Sequence, residues 1–523
     1  TEQGAPLPHK GGFLYAKKSH GRAKRSCVRE KNVLRYFLLS KIDRSMAVYL
    51  LKDLEPKEVF RFFENICDLP HGSKNTKLLS DYCAVFARMR GLWCQQDKAG
   101  NIVIRKEASP GYEEHPTVVL QGHLDMVCEK LPEVKIDFQK DGLTLKCEGD
   151  RLHADGTTLG GDDGIAVAMA LAVLDNKNLV HPPLEVLFTV DEEIGMLGAT
   201  ALDGRAIKGR TLINIDSEDE GVLTAGCAGG VRSTLTLPIR RESARGIPCT
   251  LALDGLTGGH SGTEINAGHE NAILWLVHFF ASQAEENGFR LSAVSGGGKD
   301  NAIPRAATLK FLAPATPGDT FRAAMETALN ALHETEPGAA LTLTEGAACD
   351  MGVFSRETAQ KAFTLFDTLP NGVVAMSEEV PGLVETSLNL GILATVRSLV
   401  FDYAVRSSKD EAKRNLTATL KSAIQKAGGQ YQERGAYPAW EYRKDSRLRT
   451  VMVDVFRAQY GYEPKIDIIH AGLECGILSA KFPGLDCISM GPDLYDIHTP
   501  RESLSVSSVE RTWKYLLEVL KAL

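Results

Sequence analysis

Acidic and imidazole side chains stand where short apolar runs end, and that placement is the first feature of this 523-residue chain that could do chemistry. TVVLQGHLD (117–125) runs from apolar residues into His123 and Asp125, LEVLFTV (184–190) stops at Asp191, Glu192 and Glu193, and TLINID (211–216) closes on Asp216. TLGGDDG (158–164) sets Asp162 and Asp163 before the apolar run IAVAMALAVL, and DCISMGP (486–492) is soon followed by Asp496 and His498 in YDIHTPRE. Gathered at one rim, this many carboxylates would repel one another and raise their own pKa values. A pair of divalent cations offsets such charge. Imidazole mixed with carboxylate suits zinc, manganese or cobalt better than calcium. Each piece alone has a plainer use: HxD as a hydrogen-bonded pair, Asp at a helix start as a cap, an acidic run as a solvated face. Their joint occurrence at strand ends is what points to metal and the water it binds.

The elements that must position these residues alternate. Helices are expected over about 54–68, with Val59, Phe60, Phe63 and Ile66 on one side, over 75–91 and over 164–176, between strands NIVIRK, TVVLQGH, LEVLFTV and TLINID. That alternation predicts a mainly parallel, helix-covered sheet, whose ligands collect beyond the carboxyl ends of its strands. After Asp216 the pattern changes to period two (GVRSTLTLPIR, GIPCTLALDGL), with helices at 271–287, 321–332 and 409–427. The expected class is α/β: a catalytic domain over 47–229 and 435–523, interrupted by an inserted α+β lid domain over 230–434.

Composition narrows the field. Hydrophobic residues make up 43% and charged residues 24%, ordinary for a globular protein. No run approaches the ~20 apolar residues of a membrane span, and a net charge of −7 argues against nucleic acid as a partner. Eleven cysteines without a CxxC pair fit a reducing cytoplasm better than a disulfide framework. Residues 1–45 hold eleven Lys/Arg against three Asp/Glu. That basic stretch, up to Met46, is expected to be a disordered extension, with the domain starting at MAVYLLKDLEPKEVFRFFENI.

GHLDMV, GGDDG, DEEIGMLGA, INID, GGHSG and IHTPRE together resemble the dinuclear zinc metallopeptidases, the family that includes carboxypeptidase G, peptidase V, carnosinase and aminoacylase. LPHGSKNT, GHLDMVCEK, GGHSGTEIN, DNAIPR and HAGLECG add a closer likeness to its aminoacyl-histidine (Xaa-His) dipeptidase branch. The likeness runs from about 47 to 523. It implies two zinc ions, with manganese or cobalt as substitutes. His123 and Asp216 would ligate one, Glu193 and His498 the other, and Asp162 would bridge both. It further implies Glu192 as general base, Asp125 as the support of His123, and a metal-bridging hydroxide as nucleophile. Chemistry alone would allow Glu192 and Glu193 to exchange jobs; the likeness orders them.

The same likeness places His260 of GGHSG at the substrate carbonyl and Arg406 of AVRSS at its carboxylate, with Arg397 and Arg305 as rivals. His470 and Glu474 of HAGLECG would lie near the pocket, Glu474 facing a free α-amino group. Asp163, Asp191 and Asp496 are left as supporting acids, and Cys128 and Cys475 as small structural residues. The expected activity is hydrolysis of unblocked dipeptides, Xaa-His among them, by a homodimer paired through the lid. The alternatives are a deacylase of N-acyl amino acids and a binding protein that keeps metal without catalysis.

Overall fold

The computed structural model describes residues 50–378 and 380–523; the basic extension expected over 1–46 lies outside them. An eight-stranded sheet organises the first part of the fold. Its order is Trp93–Gln96, Ile102–Lys106, Leu184–Thr189, Val118–His123, Thr211–Asn214, Asp486–Ser489, Val222–Cys227 and Lys465–Ile469. The centre is parallel, from Leu184–Thr189 across to Asp486–Ser489, while Trp93–Gln96 and Ile102–Lys106 add an antiparallel edge. Leu184–Thr189 and Val118–His123 are buried along their whole length. That follows from helices lying on both faces, and it explains why these strands read as continuous apolar runs rather than as alternation.

On one face lie helices Lys57–Cys67, Lys77–Met89, Gly161–Asp175, Arg447–Tyr460 and Val506–Ala522, sharing a core that includes Phe63, Ile165, Leu171, Phe188, Phe456 and Leu516. Gly161–Asp175 is apolar all round and buried almost throughout, so its packing rather than an amphipathic stripe holds it in place. The opposite face packs against Glu474–Lys481 and Leu197–Ala201 through Val119, Leu187, Leu212, Ile477 and Phe482.

Residues 229–437 build a second, ten-stranded antiparallel sheet, whose main path runs Ala340–Glu345, Arg241–Asp254, Ala307–Ala313, Arg290–Gly296, Val384–Thr395, Ser398–Ser407, Gly229–Pro238, Gln430–Tyr437. Its own core is rich in Phe280, Phe289, Phe311 and Phe321 and is covered by helices Ala272–Ala284, Asp319–Leu332, Arg356–Thr368 and Asp410–Lys426. The α+β insertion expected from the change to period two is this unit. Helix Arg356–Thr368 was not expected. Its start is marked by Ser355, whose hydroxyl accepts the Thr358 N–H.

Candidate metal centre

The strand ends converge. His123 is the last residue of its strand, Glu192 and Glu193 follow Thr189 by three and four residues, and Asp216 follows Asn214 by two. Asp162 and Asp163 keep non-helical backbone angles, so the regular helix begins at Gly164. Three non-glycine residues at this rim are left-handed: Asp191 (φ 56°), Asp496 (φ 50°) and His498 (φ 59°). Each costs on the order of 1 kcal/mol, and such residues gather where a site rather than stability dictates the backbone.

Asp162 stands between the two histidines. Its Oδ1 lies 2.9 Å from His123 Nε2 and its Oδ2 3.1 Å from His498 Nε2. His498 Nε2 is also 3.0 Å from Glu193 Oε2, and His123 Nε2 is 3.6 Å from Asp216 Oδ1. Each histidine thus gathers two carboxylates with Asp162 common to both, His123 with Asp162 and Asp216, His498 with Asp162 and Glu193, and Glu193 also groups with His123 and Asp162. Asp163 is close as well, its carboxylate oxygen grouping with His123 and Asp216, but that carboxylate also accepts the His123 backbone N–H at 3.1 Å.

Asp125 orders the rest. Its carboxylate accepts the Ser73 hydroxyl at 2.8 Å and the backbone N–H groups of Glu192 (2.9 Å) and Glu193 (3.3 Å). Its backbone oxygen lies 3.0 Å from His123 Nδ1. In the neutral ring that contact puts the proton on Nδ1 and leaves Nε2 as the ligand atom facing Asp162 and Asp216.

The electrostatics follow from burial and crowding. Burial, and then the neighbouring carboxylates, push Glu192 well above the usual carboxylate range and Asp216 up to about 6. Burial lifts Glu193 and Asp163 too. Burial works against Asp162, yet hydrogen bonds from both histidines hold it low. Asp162 and Glu193 raise His498 to about 11. Burial works against a charged His123, yet Asp125, Asp162 and Asp216 hold it well above the ordinary imidazole value, so positive charge is favoured at the place a cation would take. The donor set, two imidazoles and three carboxylates around a shared Asp162, therefore fits a pair of divalent cations of the zinc or manganese type.

A second cluster joins residues of the inserted unit to the HAGLECG segment. His260 Nδ1 accepts the backbone N–H groups of Gly262 (3.3 Å) and Thr263 (3.1 Å), so the neutral ring carries its proton on Nε2 and is free to donate from there. Burial, then Arg406, lowers its pKa. A Cβ on Gly262 would lie 2.5 Å from the His470 backbone oxygen, 3.0 Å from His260 Cε1 and 3.2 Å from Arg406 Nε. The GGHSG loop, Arg406 and HAGLECG thus meet at one glycine. Arg406 donates from Nη1 to Tyr437 Oη at 3.3 Å, while its buried Nε has no protein acceptor. His470 bonds Ser387 Oγ at 2.7 Å, and burial, then Arg406, takes it down to about 4. Arg397 is exposed in the turn between Val384–Thr395 and Ser398–Ser407, nine residues from Arg406, roughly 30 Å along an extended strand. Arg305 bonds the Leu256 backbone oxygen instead.

Some partners of the expected residues escape sequence reasoning. Glu474 is fully buried, accepting from Gln121 Nε2 (2.7 Å) and Thr189 Oγ1 (2.5 Å), with its Oε1 left over; Asn214 in turn donates to Gln121 at 2.6 Å. Burial lifts Glu474 to about 7. Asp191 accepts the Lys74 N–H at 2.6 Å. The hydroxyl and amide of SKN in LPHGSKNT were the available signal; Gln121, Asn214 and Tyr437 carried none. Cys475 is buried against Cys487, and Cys128 is exposed.

Comparison with known proteins gives the family and the fold. The profile of peptidase family M20/M25/M40 matches residues 119–522. Cytosol non-specific dipeptidase of Escherichia coli (strain K12) is 39% identical over 481 residues, covering 90% of this chain and 98% of that one. The crystal structure of aminoacylhistidine dipeptidase from Vibrio alginolyticus superposes with a TM-score of 0.84 at 37% identity, covering 92% of this chain and 99% of that one. A tripeptidase from Staphylococcus aureus shares the fold at 14% identity, with a TM-score of 0.51 over 90% of this chain and 98% of that one.

Proposed function

This chain belongs to peptidase family M20/M25/M40, and from that premise we propose that it is a dinuclear-metal dipeptidase acting on unblocked dipeptides, Xaa-His among them. The observation that carries the reading is the pair of triads sharing Asp162. His123, Asp162 and Asp216 would hold one cation, and Asp162, Glu193 and His498 the other. When bound, zinc or a similar ion would bring the pKa of a water to about 7 and polarise the scissile carbonyl.

The protein's own groups do the rest. Glu192, half-buried beside the cluster and raised in pKa, takes the proton of the attacking water and hands it to the leaving amine. Asp125 fixes both the His123 ring and the backbone of Glu192 and Glu193. His260 offers Nε2–H to the carbonyl oxygen as negative charge develops there. Arg406, with its unsatisfied buried Nε, receives the substrate carboxylate as a fork. His470 lines that side, and Glu474 meets the α-ammonium with its unpaired Oε1.

A buried acid suits a free ammonium and disfavours an acylated nitrogen, which is why the dipeptidase reading stands ahead of the deacylase one. The names of the Escherichia coli and Vibrio proteins support the same class and differ in breadth, non-specific against aminoacylhistidine. A hydrolysis screen of dipeptides, including carnosine, against N-acyl amino acids, with and without added zinc or manganese, separates these readings. Metal-dependent cleavage of unblocked dipeptides is the expected result, and cleavage confined to acylated substrates contradicts it. The cytoplasm is the expected compartment, in keeping with the Escherichia coli relative's name; among the described residues no helix is long and apolar enough to cross a membrane. Two copies would pair through the inserted unit, where Val373, Val374 and Met376 expose an apolar run.

A further inference from the structure

Glu502 has a role that neither the metal ligands nor the substrate residues account for. It is 3% exposed, and its carboxylate accepts four consecutive backbone N–H groups: Leu159 (2.8 Å) and Gly160 (3.1 Å) on Oε2, Gly161 (2.8 Å) and Asp162 (3.3 Å) on Oε1. All four lie ahead of the regular helix, which begins at Gly164. Here they belong to the turn that aims Asp162 between His123 and His498. The space is shaped for the carboxylate. A Cβ on Gly161 would lie 2.6 Å from Leu494 and 3.3 Å from Glu502 Oε1, while Gly160 is left-handed (φ 66°) with Met126 Sδ 2.9 Å from where its Cβ would be. Glu502 also sits four residues after His498, on the same loop. One short segment near the C-terminus therefore supplies an imidazole to the site and grips the backbone that carries the shared carboxylate, 340 residues away.

We propose that Glu502 is a positioning residue: it holds Leu159–Asp162 so that the two Asp162 oxygens point at separate histidines, and it locks the His498 loop to that turn. The inference rests on the metal reading given above. A carboxylate is required because both of its oxygens accept. An amide at the same place turns one acceptor into an NH2 group facing two N–H donors, which pushes the turn away. Shortening the side chain by one methylene keeps both acceptors and moves them back.

The test uses the full-length protein stripped of metal and titrated with zinc or manganese by calorimetry, with Glu502→Gln and Glu502→Asp beside the unsubstituted chain, each checked for its folded state by circular dichroism. Glu502→Gln is expected to bind metal about 10–100-fold more weakly. At saturating metal its kcat falls while KM for a dipeptide stays unchanged, and Glu502→Asp recovers part of both affinity and kcat. Unaltered metal affinity in folded Glu502→Gln overturns the proposal; so does a loss in Glu502→Asp as large as in Glu502→Gln. Should Glu502→Gln not fold, Glu502→Asp alone decides: wild-type affinity and kcat would overturn the proposal, and an intermediate loss of both supports it. An unsubstituted chain that binds no divalent metal overturns the metal reading itself and takes this inference with it, a result distinct from the others.

Discussion

Glu192 and Glu193 are neighbours of one type, yet their surroundings divide the work between them. Glu193 reaches His498 at 3.0 Å, whereas Glu192 is half-buried, and desolvation first, then the nearby Asp216, Glu474 and Glu193, raise its pKa above the usual carboxylate range. Glu192→Ala should lower kcat by about 10²–10⁴-fold while two metals still bind, as measured by kinetics and metal analysis; turnover near that of the unsubstituted chain would contradict the assignment. Arg406→Ala should raise KM for dipeptides with a smaller change in kcat, and Arg397→Ala should change neither, since it lies in an exposed turn. His470 gives a pH signature. Its folded pKa is depressed from 6.5 to about 4, by burial first and Arg406 second, so as pH falls the unfolded chain takes up the proton before the folded one. Stability therefore falls as pH drops from 6.5 towards about 4, by at most about 1 kcal/mol per pH unit. Urea denaturation of His470→Gln should lose that part of the pH dependence, and an unaltered dependence would contradict it. The acids and histidines were legible because each closes a strand or opens a helix. Gln121, Asn214 and Tyr437 were not, because a polar residue inside a strand pattern says nothing of a partner up to 353 residues away.

At the scale of elements, the decisive contact is a loop against a turn. Gly262 lets the GGHSG loop close on HAGLECG, and an alanine there would set a methyl group 2.5 Å from the His470 backbone oxygen. Gly262→Ala should lower kcat/KM by about 10²-fold, the scale of a 1 Å misplacement, while metal affinity and thermal stability stay close to those of the unsubstituted chain. A loss of metal binding would show instead that the loop supports the metal centre. Most elements were readable from period: the buried runs LEVLFT and VVLQGH from their continuous apolar character, the inserted unit from its alternation. Helix Arg356–Thr368 escaped because only a modest apolar stripe, with Leu365 and Phe366 buried, marks it, and its cap is a single serine. The order of the ten-stranded sheet also escaped, since strands distant in the chain pair there, as Gly229–Pro238 does with Ser398–Ser407.

Across the whole molecule, the parallel sheet and the inserted sheet have separate hydrophobic cores, and the GGHSG loop of the insertion touches HAGLECG at Gly262. The division into an α/β unit and an α+β insertion was readable from the change of period. How the insertion folds back, bringing His260 and Arg406 to His470, was not, because side chains brought together by tertiary packing leave no local pattern. On the proposed function, His123, Asp162, Glu193, Asp216 and His498 surround two cations with Asp162 between them. Crystals grown with excess zinc and measured on both sides of the zinc absorption edge test it directly. Two anomalous peaks are predicted, one between His123 and Asp216 and one between Glu193 and His498, both touching Asp162. A single peak, or none among these five side chains, would contradict it.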